Sequence, residues 1–341
     1  MAEFRQWRNE KRTPLREVVP LDTPYTLNIE VSTLCNIRCQ YCAHSTKDHG
    51  VWEGNMSMEL FHEVVRQLHG FPHKLKLVDL FCFGEPLCHP QLAEMAAEVR
   101  QADVCETIGF TTNGLLLTPE KIDALIAAGV DTIRVSLQGL DAETYRKVCG
   151  ANIDFEQFRE NLRYLYDHRG GCKVRMKIAD VAIADVPDGK ARLEALFGDR
   201  ADSLYIEHIL PKYGDVDYAA RFGTLPHDAM SGREGFRQTE WHKVCYRPFI
   251  KMRVGSDGAV SASCCDTPHD IVYGHLPQDN LVGLWNRGGH VSLMKIQLEG
   301  KRFQHPVCKS CILPNDITNE ADLLDPWAEE ILARMNAQEK L

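Results

Sequence analysis

Cys35-Asn36-Ile37-Arg38-Cys39-Gln40-Tyr41-Cys42 places three thiols at C-x3-C-x2-C spacing, directly after the apolar run Tyr25-Thr26-Leu27-Asn28-Ile29-Glu30-Val31. Such a run reads as a strand, so the triplet falls on a loop at a strand's C-terminal end. Three soft ligands must converge there, and that requirement limits what the chain can fold into. A [4Fe-4S] cluster takes four thiolates, one per iron, so three thiolates leave one iron open to a ligand from outside the protein. Zinc is the rival metal. Structural zinc sites pair C-x2-C halves and close with four ligands, and an x3-then-x2 triplet does not divide that way.

Beyond the triplet the chain alternates between strand and helix patterns. Strands are expected at Lys76–Cys82, Thr107–Thr111, Thr132–Leu137, Val174–Ile178 and Leu204–Glu207. Helices are expected after Ser57, near Pro90, after the Thr118 cap, over Ala142–Val148, over Phe155–His168 and near Lys190–Phe197. With the first strand this makes six βα-type units, which predicts an α/β fold with a parallel sheet and helical crossovers. Ligand sites in such barrels gather at the strands' C-terminal ends. Residues 1–21 read as a polar surface arm, 22–210 as the main domain, 211–240 as a linker, 241–317 as a second small domain and 318–341 as a C-terminal amphipathic helix whose apolar side packs on the core.

The 341 residues suffice for one large domain and a smaller one. A net charge of −9 argues against a nucleic-acid surface, no apolar run suggests a membrane span, and the polar start is no secretory signal. A cytoplasmic protein is expected. In a reducing compartment thirteen cysteines favour metal ligation over disulfides. Cys82, Cys88, Cys105, Cys149 and Cys172 read as small buried hydrophobes, and His44 and His49 as exposed loop histidines.

The triplet, with Tyr41 before its last cysteine, resembles the signature of the radical S-adenosylmethionine (SAM) enzymes. The resemblance implies a partial (β/α)6 barrel over approximately residues 22–210. It also implies that the open iron binds SAM, and that the reduced cluster cleaves SAM to a 5'-deoxyadenosyl radical that takes hydrogen from the substrate. Phe83-Gly84-Glu85-Pro86 is similar to the family's Gly-Gly-Glu-Pro motif, which contacts the SAM amino group, with Phe83 in place of the first glycine. Thr112 and Asn113 resemble a segment that lies beside SAM. Ser136 resembles the serine of the family's Ser-x-Asp-Gly segment, with Gln138 in place of the aspartate. Lys177 is a candidate partner for the SAM carboxylate.

A second group, Cys245, Cys264, Cys308 and Cys311, has C-x18-C-x43-C-x2-C spacing, with a hairpin expected around Gly255–Gly258. Four thiolates suit a tetrahedral zinc or a closed [4Fe-4S] cluster, and spacing alone does not choose. Together with Asp257-Gly258, Tyr273-Gly274 and Leu284-Trp285-Asn286, the group resembles the SPASM and twitch extensions of radical SAM enzymes, which bind auxiliary [4Fe-4S] clusters. Cys265, next to Cys264, is an alternative ligand.

The resemblance to twitch-type dehydrogenases implies oxidation of a sugar or aminocyclitol alcohol to a ketone, with the auxiliary cluster as electron acceptor and a flavodoxin- or ferredoxin-type reductant. Glu207, His208, Asp266 and Arg175 are chemically able catalytic candidates. Cys265 would be the hydrogen donor if the enzyme were an epimerase. A peptide substrate is the alternative, although residues 1–24 are too short for the usual peptide-binding domain. From another class, both cysteine groups could bind zinc in a non-enzymatic interaction protein.

Overall fold

The computed structural model describes residues 2–4, 12–46, 53–209, 242–262, 271–309, 311, 313–315 and 319–338. Among the described residues nine strands form one sheet in the order β6-β5-β4-β3-β2-β1-β7-β8-β9. The first six are β1 (Thr26–Ile29), β2 (Leu75–Asp79), β3 (Cys105–Thr112), β4 (Thr132–Leu137), β5 (Lys173–Ala179) and β6 (Ser203–Glu207). Each pairs in parallel with the next, as strand-helix alternation requires.

The crossover helices bury the faces their sequences mark. Ser57 caps Met58–Leu68 by accepting from the Leu60 amide, and Phe61, Val64, Val65 and Leu68 turn inward. Leu92, Met95, Ala96 and Val99 do the same on Leu92–Ala102. Thr118 caps Pro119–Ala127, which buries Ile122 and Leu125. Asp141 and Asp154 cap Ala142–Cys149 and Phe155–His168 by accepting amides three residues on.

Two expectations change. The second module continues the barrel's own sheet: β7 (Lys251–Val254) lies parallel against β1, with Ile29 opposite Val254, and β8 (Ala259–Ser261) and β9 (Val272–His275) follow antiparallel. The arm is also no simple surface segment. Glu3 bridges Ser203 at the open edge of β6, while Leu15 and Val19 are buried in a second core with Val244, Phe249, Met294, Leu298, Ile331 and Met335. Apolar residues within a polar stretch find cover there from the helix Ala328–Gln338, which packs on the core as its pattern predicts. Among the described residues no helix is long and apolar enough to cross a membrane.

Candidate active site

The C-terminal ends of β1 to β6 surround a cavity of about 230 Å³. Cys35, Cys39 and Cys42 line it, together with Tyr41, Gly84, Glu85, Thr112, Asn113, Ser136, Lys177 and Glu207. Residues spread over the sequence thus share one chamber because parallel strands end on the same side.

The loops around the chamber hold one another. Glu85 is buried, and its carboxylate accepts from the Leu87 amide at 3.1 Å, the Thr112 hydroxyl at 2.6 Å and the Asn113 amide at 2.7 Å. The Asn113 side-chain amide donates in turn to Asn36 Oδ1 at 2.7 Å, inside the cysteine loop. Glu85, Thr112 and Asn113 therefore tie the ends of β2 and β3 to the triplet. Burial raises the Glu85 pKa, against the lowering effect of these hydrogen bonds.

Gly84 is needed for close approach. A Cβ there would stand 2.2 Å from the Ser32 carbonyl oxygen and 2.8 Å from that of Leu34, both backbone atoms. Phe83 has a different use. Its amide donates to Glu30 Oε1 at 3.1 Å, and its ring faces the Arg253 guanidinium at 5.0 Å. Arg253 on β7 pairs with Glu30 at 3.2 Å, and both are almost fully buried. The motif after β2 is thereby fastened to the second module.

Gln138 is buried and accepts from the Cys39 thiol at 3.4 Å and from the Tyr41 hydroxyl, while its amide donates to the Ser136 carbonyl at 3.0 Å. Lys177 donates to Glu207 Oε2 at 2.5 Å, so the lysine that the sequence suggested as a partner for the SAM carboxylate is already in an ion pair. Burial works to lower the Lys177 pKa, but Glu207 and Tyr205 outweigh it and the net shift is upward. Of the other catalytic candidates, Arg175 and His208 are not among the residues lining the cavity; His208 Nδ1 lies 2.9 Å from Asp180. Burial, with Arg134 beside it, lowers the Arg175 pKa. Cys264, Cys265, Asp266 and His49 lie outside the described residues.

The triplet's chemistry fits an iron-sulfur group. All three thiols are free. Burial pushes Cys35 up to about 12 and raises Cys39 and Cys42, with neighbouring thiols adding to the effect on Cys35 and Cys39. Packed soft donors that resist ionising alone are suited to a metal that displaces their protons. Among the described residues no three Cys, His, Asp or Glu side chains are gathered around a single ion's position. A cluster, with one thiolate per iron, does not require that.

In the second group, Cys245 and Cys308 are each influenced by one another or by Cys311, and burial raises them to about 11 and about 12. Gln297, fully buried, accepts from the Cys245 amide at 3.2 Å and donates to Cys308 Sγ at 3.7 Å.

Two cavity residues escaped the sequence reading. His44 is half-buried and lines the chamber, where burial lowers its pKa, and Cys82 also faces it. The signal for Cys82 was its place just past the end of β2, immediately before Phe83-Gly84. Cys105, Cys149 and Cys172 are buried as expected.

The Radical SAM superfamily model matches residues 29–178. Over 343 aligned residues the chain is 28% identical to the tungsten-containing aldehyde ferredoxin oxidoreductase cofactor-modifying protein of Pyrococcus furiosus, covering 89% of this chain and 92% of that one. It is 33% identical to the GTP 3',8-cyclase of Staphylococcus haemolyticus over 144 residues, only 40% of this chain and 41% of the relative. Solved structures alike in fold include BtrN in complex with AdoMet and 2-DOIA, with TM-score 0.56, 18% identity and coverage of 84% and 92%. Another is Streptococcus suis SuiB bound to the precursor peptide SuiA, with TM-score 0.62, 14% identity and coverage of 88% and 72%.

Proposed function

The chain carries a radical SAM domain over residues 29–178, and on that premise we propose that it oxidises a small polyhydroxylated substrate, taking a sugar or aminocyclitol alcohol to a ketone. Cys35, Cys39 and Cys42 would hold the SAM-binding cluster, and Cys245, Cys308 and Cys311 three positions of the auxiliary one. When bound, these groups supply the 5'-deoxyadenosyl radical that takes a substrate hydrogen atom and an acceptor for the remaining electron.

The chain's own side chains do the rest. The observation that carries this reading is Glu207, a carboxylate that lines the same chamber as the three cysteines and is oriented by Lys177. Turning an alcohol carbon into a carbonyl breaks its C–H and O–H bonds, and the hydroxyl proton needs a base within reach. Glu207 takes that proton. Lys177 holds the carboxylate in place, and the Glu85 network fixes the loops against which SAM would lie. The likeness in fold to BtrN, whose crystals hold AdoMet and 2-DOIA, supports a small polar substrate.

The relationship over nearly the whole chain to a cofactor-modifying protein supports a second reading, in which the substrate is a cofactor or its precursor. SuiB with its precursor peptide keeps a peptide in view.

One experiment separates them. Anaerobic protein is incubated with SAM, a reductant and a panel of aminocyclitols, sugars, pterins and peptides, and 5'-deoxyadenosine and substrate masses are recorded. The expected result is a polyol product two mass units lighter, formed in step with 5'-deoxyadenosine, and lost in Glu207→Gln. Turnover of a pterin or peptide with every polyol untouched would overturn the proposal, as would a polyol product that keeps the substrate's mass in H2O and gains one unit in D2O.

A further inference from the structure

Arg302 is buried to 1% exposure, yet no carboxylate pairs with it among the described residues. Its guanidinium donates to the carbonyls of His242 at 3.0 Å, Cys308 at 2.9 Å and Cys311. Two of those carbonyls belong to the C-x2-C turn of the second cysteine group. Carbonyl dipoles solvate a buried cation only in part, and a full charge in a dry interior costs several kcal/mol unless an anion offsets it. The guanidinium is thereby fastened to the backbone of two of the second group's cysteines, whose thiols become anionic when a metal displaces their protons.

We propose that Arg302 is the buried counter-charge of the metal group held by Cys245, Cys308 and Cys311, and that it sets that group's reduction potential. Three thiolates on zinc or on a [4Fe-4S] cluster already make a net anion. A fixed positive charge stabilises that anion. It stabilises the reduced form more, because reduction adds a further negative charge. The same side chain, through its fork of donors, fixes the turn that carries two of the ligands. In an enzyme that passes an electron to this group, Arg302 would thus favour its acceptance.

The inference rests on the two-cluster reading, and the test keeps the two apart. In full-length protein with Cys35, Cys39 and Cys42 changed to Ala, leaving only the second group, Arg302→Lys and Arg302→Met are compared by iron and sulfide content and by redox titration followed by EPR. The expected result is that Lys retains iron with a midpoint near that of Arg. Met is expected to lower the reduced-to-oxidised ratio at fixed potential at least tenfold, a shift of about 59 mV for one electron. If Met loses the iron altogether while Lys keeps it, the charge is again the cause. An unchanged midpoint in Met overturns the proposal, and so does equal loss of iron in Lys and Met, which would leave only the fork of hydrogen bonds. If the parent protein holds zinc without sulfide, the cluster reading fails by itself. The counter-charge is then judged by zinc retention against a chelator, with at least tenfold weaker binding expected in Met and none of that loss in Lys.

Discussion

Replacing Cys35, Cys39 and Cys42 together by Ala is expected to abolish 5'-deoxyadenosine formation while the protein keeps about half of its iron, four atoms of about eight. The three thiols share one chamber with Gly84, Ser136 and Lys177, and the hydrogen-bonded set of Glu85, Asn113 and Asn36 fixes the loop that carries them. Among the described residues Cys82 also lines this cavity, just beyond β2, and it stays intact in the variant. One thiol cannot hold a cluster. Iron analysis and chromatography of the SAM digest check the result, and reductive SAM cleavage surviving in the triple variant would remove the triplet from the chemistry.

Changing Glu30 to Gln is expected to cost about 3–5 kcal/mol of folding stability, the usual penalty for breaking a buried ion pair from one side. Glu30 and Arg253 are exposed by no more than 1% and lie 3.2 Å apart, joining β1 to β7. Gln removes the negative charge 3.2 Å from the buried Arg253 guanidinium, while its amide oxygen can still accept from the Phe83 amide. Urea unfolding measures the loss. Replacing both partners by apolar residues, Glu30→Leu with Arg253→Met, is expected to recover most of the stability, because it removes the buried positive charge together with the negative one. A single variant within about 1 kcal/mol of the parent would show that the pair is not isolated from water.

The contrast between these two sites shows what a sequence reveals. The triplet's spacing is local, and the period of the apolar residues around it marks a strand and then helices, so the chamber's rim was legible before any coordinates. Parallel strands place their C-terminal ends together, and this brought Cys35, Gly84, Thr112, Ser136 and Lys177 to one cavity. The Glu30–Arg253 pair joins residues 223 apart. Finding it requires knowing that β7 lies beside β1, and a sequence with a linker between two modules gives no sign of that pairing.

The same reason hid the burial of Leu15 and Val19, whose partners come from the opposite end of the chain. Glu207 stood out only as one acid among several near strand ends. Its pairing with Lys177 depends on the register that sets Ala179 opposite Glu207 and Lys177 opposite Tyr205. Phe83 looked like a flaw in a glycine motif until Arg253 was seen to face its ring.

The most direct test of the account is the EPR spectrum of the anaerobically reduced wild-type protein before and after SAM is added. A cluster held by three thiolates has one iron open to SAM, whereas a cluster closed by four does not. The account predicts two cluster signals, of which SAM shifts one and leaves the other unchanged. It is contradicted if SAM alters neither signal.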